Sequence, residues 1–116
     1  QCRLYSLRTA LGILRLSSAR NYFILKVVGD SMDRAGISPG DFVLMAQQDT
    51  AEPGDIVAAE INGEDEGATL KSFARRGRRI CLVPNSSNLK YQEQYFDPGA
   101  SGFSIRGVVI GVFKPH

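Results

Sequence analysis

The sequence predicts a mostly β domain, small and built from twisted antiparallel sheets and hairpins. Three observations carry this. Short runs rich in β-branched and aromatic residues recur from residue 22 onward. Gly, Pro, Asn and Asp punctuate them, and Pro-Gly-Asp occurs twice, at 39–41 and 53–55, each time feeding an apolar run. At 116 residues the chain has room for one core and little more.

The first twenty residues differ from the rest. RLYSLRTALGILRL (3–16) spaces Leu4, Leu7, Leu11 and Leu14 at three- and four-residue steps, which is the stripe of a helix. Gly12 weakens that stripe, and an extended arm fits equally well. Arg3, Arg8, Arg15 and Arg20, with no acid among them, make this segment +4 in a chain of net charge +2. Residues 1–20 are therefore set apart as an arm, and residues 21–116 as the domain. Within the domain, YFILKVV (22–28), FVLMA (42–46), DIVAAEI (55–61), ATLKSFA (68–74), RICLVP (79–84), FSIRG (103–107) and VVIGVF (108–113) read as strands. SPGD (38–41) and EPGD (52–55) put Pro and Gly at the two central positions of a type II turn. NGEDEG (62–67) and RRGRR (75–79) read as hairpin loops, and residues 85–102 as a long polar connection.

Much chemistry is excluded at this point. A net charge of +2 does not by itself imply a nucleic-acid partner. No apolar run approaches the roughly 20 residues that cross a bilayer, and arginines interrupt the N-terminal apolar residues, so neither a membrane span nor a secretion signal is expected. Cys2 and Cys81 make no disulfide framework, which favours a reduced, cytoplasmic setting. The only histidine is His116, at the end of the sequence, which argues against a Ser-His-Asp or Cys-His site. One histidine and two distant cysteines argue against zinc, and neither a metal nor another cofactor is expected. GEDEGATLKS lacks the Gly before Lys that a phosphate loop needs. RRGRR reads as a cationic hairpin tip in preference to a phosphate site.

What remains is serine with lysine. A serine hydroxyl is a weak nucleophile and needs a base beside it. Without histidine, that base is a neutral lysine amine. Lysine titrates near 10.4 in water, so working near pH 7 to 8 takes about 3 to 4 kcal/mol of environmental bias, which apolar burial can supply. Lys71, in ATLKSFA, meets this requirement: alternation puts it on one strand face with Thr69 and Phe73. Ser31, in VVGDSM, ends an apolar run. Gly29 beside it lets the backbone pass closely, and the amides of Asp30 and Ser31 can then point at an oxyanion. The bland readings are a helix N-cap for Ser31 and a solvated edge-strand lysine for Lys71.

Taken in order, the blocks YFILKVVGDSM, GISPGDFVLMA, GDIVAAEI with TLKSF, RICLVPNSSNLKY and IRGVVIGVFK resemble the LexA/UmuD group of self-cleaving serine peptidases, with its relatives among phage repressors. The resemblance runs from about Tyr22 to Lys114. It implies a LexA/signal-peptidase-like fold, with Ser31 as nucleophile and Lys71 as general base and later acid. It also implies the amides of Asp30 and Ser31 as oxyanion donors, Met32 and Gly29 beside the substrate groove, and Thr69 as a partner for the lysine amine. IRGVVIGVFK looks like the family's closing strand pair. The interval of 40 residues from Ser31 to Lys71 is slightly longer than in the family, with the surplus in NGEDEG, where insertion is cheap. No Ala-Gly or Cys-Gly precedes Ser31, so the scissile bond is expected at or before the start of this chain.

The implied partners are a second copy of the chain and a RecA–single-stranded DNA filament as stimulator. DNA would be bound only through an N-terminal domain absent from this chain, or a translesion polymerase would be served if the protein is UmuD-like. A catalytically silent dimerisation or polymerase-binding module is the alternative. A signal peptidase is set aside, because no block of GDN…S…DSR type and no anchor is found.

Overall fold

A computed structural model describes residues 2–5, 21–62, 68–99 and 102–115, with backbone only for 2–5. Eight strands are described: β1 (Cys2–Tyr5), β2 (Tyr22–Val27), β3 (Phe42–Gln47), β4 (Ile56–Ile61), β5 (Thr69–Arg76), β6 (Arg79–Val83), β7 (Gln94–Phe96) and β8 (Phe103–Phe113). They form one antiparallel sheet in the order β1-β2-β3-β8-β4-β5-β6-β7. The mostly β architecture expected from the sequence is what the chain adopts.

Of the two readings of the arm, helix or extended, the extended one describes its start: at Cys2–Tyr5 the backbone is a strand paired with β2. Pairing with the edge of β2 satisfies backbone groups that a solvated helix would satisfy internally. The rest of the leucine stripe lies outside the described residues. Sequence and structure part in two places further along. FSIRG and VVIGVF, expected as two strands closing the sheet, are one strand of 11 residues. Gly107 does not break it. A Cβ there would stand 2.8 Å from the Ala46 carbonyl oxygen and 2.9 Å from the Phe23 ring, so glycine lets β8 pass against β3. β8 itself takes up the irregularity: it carries one extra residue, Ile110, opposite the Leu44/Met45 step of β3, and another, Arg106, opposite the Ala58/Ala59 step of β4. Finally, β7 arises inside the expected polar connection and pairs with β6.

Both Pro-Gly-Asp turns have the same construction. Gly40 and Gly54 take φ of +92° and +96°, the left-handed value that the third position of a type II turn demands. In each turn the aspartate amide donates to the first residue's carbonyl, and the aspartate carboxylate accepts that residue's amide. The turns therefore close through residue types readable from the sequence alone.

The core is two clusters. Leu25, Val27, Met32, Ile37, Val43, Met45, Ala58 and Leu70 form one; Val57, Ala59, Phe73, Leu82 and Val108 form the other. Neighbours along one strand, Val57 and Ala58, or Leu70 and Phe73, divide between the two, so the central strands are covered on both faces. The sheet is curled. Three strands lie between β2 and β5, which in a flat sheet would put them about 19 Å apart. The four residues from Val27 to Ser31 can extend about 14 Å, yet Ser31 touches β5.

Gly107→Ala tests the close approach of β8 to Ala46 and Phe23. It is expected to lower stability by about 1 to 3 kcal/mol, the usual cost of overpacking, read as a lower urea midpoint with an unchanged slope.

Candidate active site

The loop after β2 is closed at its neck by two backbone bonds, Val27 N–H to Asp41 O and Gly40 N–H to Val27 O, both 2.8 Å. Residues 28–40 thus form a compact loop whose ends meet and whose own side chains fill it. Met32 and Ile37 are the filling, each 1% exposed. Burying each contributes about 1.5 to 3 kcal/mol. A short 3-10 turn, Asp33–Ala35, lies between them. Its turn bonds end on Met32, whose carbonyl accepts the amides of Ala35 and Ile37. Met32 therefore sits under the loop as a plug, and Gly29 is partly exposed beside it.

Ser31 is carried inward by this plug. It is 7% exposed, and its hydroxyl donates to the Leu70 carbonyl at 3.2 Å. That carbonyl is reachable because β6 stops short: pairing of β5 with β6 ends at Ser72–Val83, and the chain leaves the sheet at Pro84. Ser31 and Asn85 occupy this end of the sheet, with the Asn85 amide donating to the Ser31 carbonyl at 2.9 Å.

Lys71 follows Leu70. It lies opposite Val57 in the β4–β5 ladder, and Thr69 lies opposite Ala59, so both share the face that Phe73 also buries. The lysine is 6% exposed. Its Nζ donates to the Thr69 hydroxyl at 2.6 Å and stands 5.7 Å from the centre of the Tyr91 ring. The structure thus brings the serine of the β2 loop to the residue preceding Lys71 in β5, and gives the amine a neighbour two residues back on its own strand.

Residues 85–91 lace the serine loop from outside. The Arg34 amide donates to Asn85 O at 2.9 Å, and the Ser86 hydroxyl to Asp30 O at 2.7 Å. The Ser87 amide and hydroxyl both donate to the Asp33 carboxylate, at 2.9 and 2.6 Å. The Tyr91 hydroxyl donates to Asp30 Oδ1 at 2.6 Å. That bond holds the Asp30 carboxyl below the usual carboxylate range against partial desolvation, helped by Asn88, its own backbone amide and Lys90. The same bond pushes the Tyr91 phenol up, since a proton donated to a carboxylate is harder to lose. Hydrogen bonds from Ser87 likewise lower Asp33. Among the described residues neither the Asp30 nor the Ser31 amide donates to a backbone carbonyl.

Sequence reasoning gave no role to Asn85, Ser86, Asp33 or Tyr91. The signal available was the resemblance of RICLVPNSSNLKY to a family block, which marked the segment without marking its contacts. It also read Asp41 only as a turn residue. Asp41 is buried and paired with Lys114, at the end of β8, whose amine also donates to Gly36 O at 2.6 Å. The exit of the serine loop is thereby pinned to the last strand.

The chain belongs to the Peptidase S24-like family, which matches residues 5–110. It is 43% identical over 99 residues to the LexA repressor of Thermotoga sp. (strain RQ2), and equally to that of Thermotoga maritima; each match covers 85% of this chain and 47% of the relative. The LexA repressor of Thermotoga neapolitana is 42% identical over 101 residues, or 87% of this chain and 45% of that protein. The chain spans about half the length of the curated relatives it matches. Among the described residues no helix is long and apolar enough to cross a membrane.

Burial raises the Asp41 carboxyl, but the Lys114 and Ser38 bonds outweigh it and its net shift is downward. A carboxyl lowered on folding contributes stability above its unfolded value, near 3.9, and that contribution is lost as pH falls through the folded value. Lys114→Met leaves the buried carboxylate with the Ser38 amide alone. The variant is expected to lose about 1 to 2 kcal/mol at pH 7 and to recover part of that loss on acidification toward pH 4. Urea melts at both pH values measure this.

Proposed function

We propose that this chain is the self-cleaving serine peptidase domain of a DNA-damage-response repressor of LexA type, with Ser31 as nucleophile and Lys71 as general base. One observation carries the reading. The Ser31 hydroxyl lies on the carbonyl of the residue before Lys71, with both side chains withdrawn from water. A solvated lysine could not serve as a base near neutral pH. One packed beside Val57 and Phe73 is in surroundings that disfavour its charged form.

In the resting site the serine proton points at Leu70. Rotation about the Cα–Cβ bond turns it to the neutral Lys71 amine, which takes the proton as Oγ attacks the scissile carbonyl carbon. The amides of Ser31 and Asp30 donate to the oxyanion. As the peptide C–N bond breaks, the lysine ammonium returns its proton to the leaving amine. The acyl-serine ester is then hydrolysed by a water that gives its proton to Lys71, and Oγ takes a proton back. Thr69 holds the amine in line, and Gly29 and Met32 lie beside and beneath the groove that receives the cleaved segment.

The LexA resemblance supports the wider setting: a cytoplasmic homodimer stimulated by a RecA–single-stranded DNA filament, with operator DNA bound by an N-terminal domain outside this chain. The arm at 1–20 would then lie between that domain and the peptidase domain at 21–116. A UmuD-like protein serving a translesion polymerase would use the same site.

The full-length polypeptide is expected to cleave itself in mild alkali, faster as pH rises and neutral lysine accumulates. Ser31→Ala and Lys71→Ala should each abolish this, with loss of at least about 1,000-fold in rate. Gel analysis of timed samples is the measurement. Cleavage that persists in both variants would refute the assignment.

A further inference from the structure

We propose that Tyr91 is a positioning residue for this site: its hydroxyl fixes the serine-bearing backbone through Asp30, and its ring shields the Lys71 amine from water. The inference rests on reading Ser31 and Lys71 as nucleophile and base. It adds a third residue, from a segment for which that reading has no use.

Tyr91 reaches both halves of the site at once. Its hydroxyl is 2.6 Å from Asp30 Oδ1, and its ring centre is 5.7 Å from Lys71 Nζ. An O–H donated to a carboxylate at this distance belongs to the stronger class of hydrogen bonds. Asp30 immediately precedes Ser31, so a fixed Asp30 side chain restricts the peptide unit that carries the Ser31 amide and aims its Cβ. The Ser86 hydroxyl holds the Asp30 carbonyl at 2.7 Å from the same segment, and the Asn85 amide holds the Ser31 carbonyl. The serine is therefore clamped on both sides of its Cα by residues more than fifty positions away.

The ring has a second effect. The charged groups facing Tyr91 are Asp30 and Asp33 of the serine loop, Lys71 of β5 and Lys90 of its own segment. A ring face attracts an ammonium, but 5.7 Å is near the outer limit of about 6 Å for that attraction. Exclusion of water acts in the other direction, disfavouring the charged amine. For the amine of a residue only 6% exposed, on the strand face that Val57 and Phe73 share, we take the second effect to govern. The ring then contributes to the supply of neutral lysine, and the hydroxyl to the aim of the serine. The two roles are separable by substitution.

The test is the rate of self-cleavage of the full-length polypeptide from pH 7 to 11. Tyr91→Phe keeps the ring and removes the donor; Asp30→Asn removes the charged acceptor. Each is expected to slow cleavage about tenfold, without moving the pH of half-maximal rate. The double variant should be no slower than Tyr91→Phe alone, since both substitutions act on the same bond. Tyr91→Leu should slow cleavage and also raise the pH of half-maximal rate by about one unit, because water reaches the amine. Thermal melts check folding, and the near-isosteric Phe and Asn variants carry the test if Leu unfolds. Wild-type rates in Tyr91→Phe, or independent losses that multiply to about a hundredfold in the double variant, would overturn the clamp. An unmoved half-maximal pH in a folded Tyr91→Leu would overturn the shield. Ser31→Ala and Lys71→Ala run alongside, and cleavage surviving there would indict the dyad instead.

Discussion

The contact on which this site depends is one hydrogen bond between distant parts of the chain, from the Ser31 hydroxyl to the Leu70 carbonyl. It joins the loop after β2 to β5 across three intervening strands. Only a curled sheet permits it, and the curl is built from ordinary means: the twist of antiparallel strands, two extra residues within β8, and a glycine where β8 would otherwise strike β3. Met32 and Ile37 then hold the loop down by burial, and the neck bonds of Val27 with Gly40 and Asp41 hold it shut. Fold and site are therefore one construction. The core cluster that takes in Met32 also takes in Leu70, whose carbonyl receives the serine.

The cost in this construction is the lysine. A charged amine withdrawn from water is unfavourable by several kcal/mol unless it is compensated. The chain surrounds it with a threonine hydroxyl, an aromatic face and apolar neighbours. A residue placed only for stability would be better served by leucine at this position. The arrangement accords with a group whose neutral form is the useful one, and it ties function to the same burial that makes the residue costly.

Much of this was legible in the sequence, and the reasons for the rest are physical. Strands β2 to β6 announced themselves because central strands are rich in β-branched residues and end at Gly, Pro or Asp. The Pro-Gly-Asp turns could be read to the level of turn type, since turn chemistry is local. Ser31 and Lys71 were singled out by eliminating histidine and by resemblance to a family. The Tyr91 contact with Asp30 and the Ser86 contact with its carbonyl were not found. They link residues 61 and 56 positions apart, and a polar segment carries no periodicity to show which of its side chains will meet a loop. Strand β7 was missed because three residues give no alternation to count. The joined β8 was misread because glycine is punctuation in a sequence, whereas Gly107 serves close packing in the fold. The leucine stripe left helix and extended arm open, and pairing with β2 decides for the extended form at Cys2–Tyr5.

The central claim is that Ser31 is made nucleophilic by Lys71, and it can be measured without any peptide substrate. The chain would be exposed to a fluorophosphonate, which phosphonylates an activated serine with loss of fluoride, and the rate of adduct formation followed by mass spectrometry as pH is raised. The account predicts one adduct, located at Ser31, forming faster with rising pH and absent from a folded Lys71→Ala variant. Adduct formation at Ser31 that proceeds equally fast without Lys71, or none at Ser31 at any pH, would contradict it.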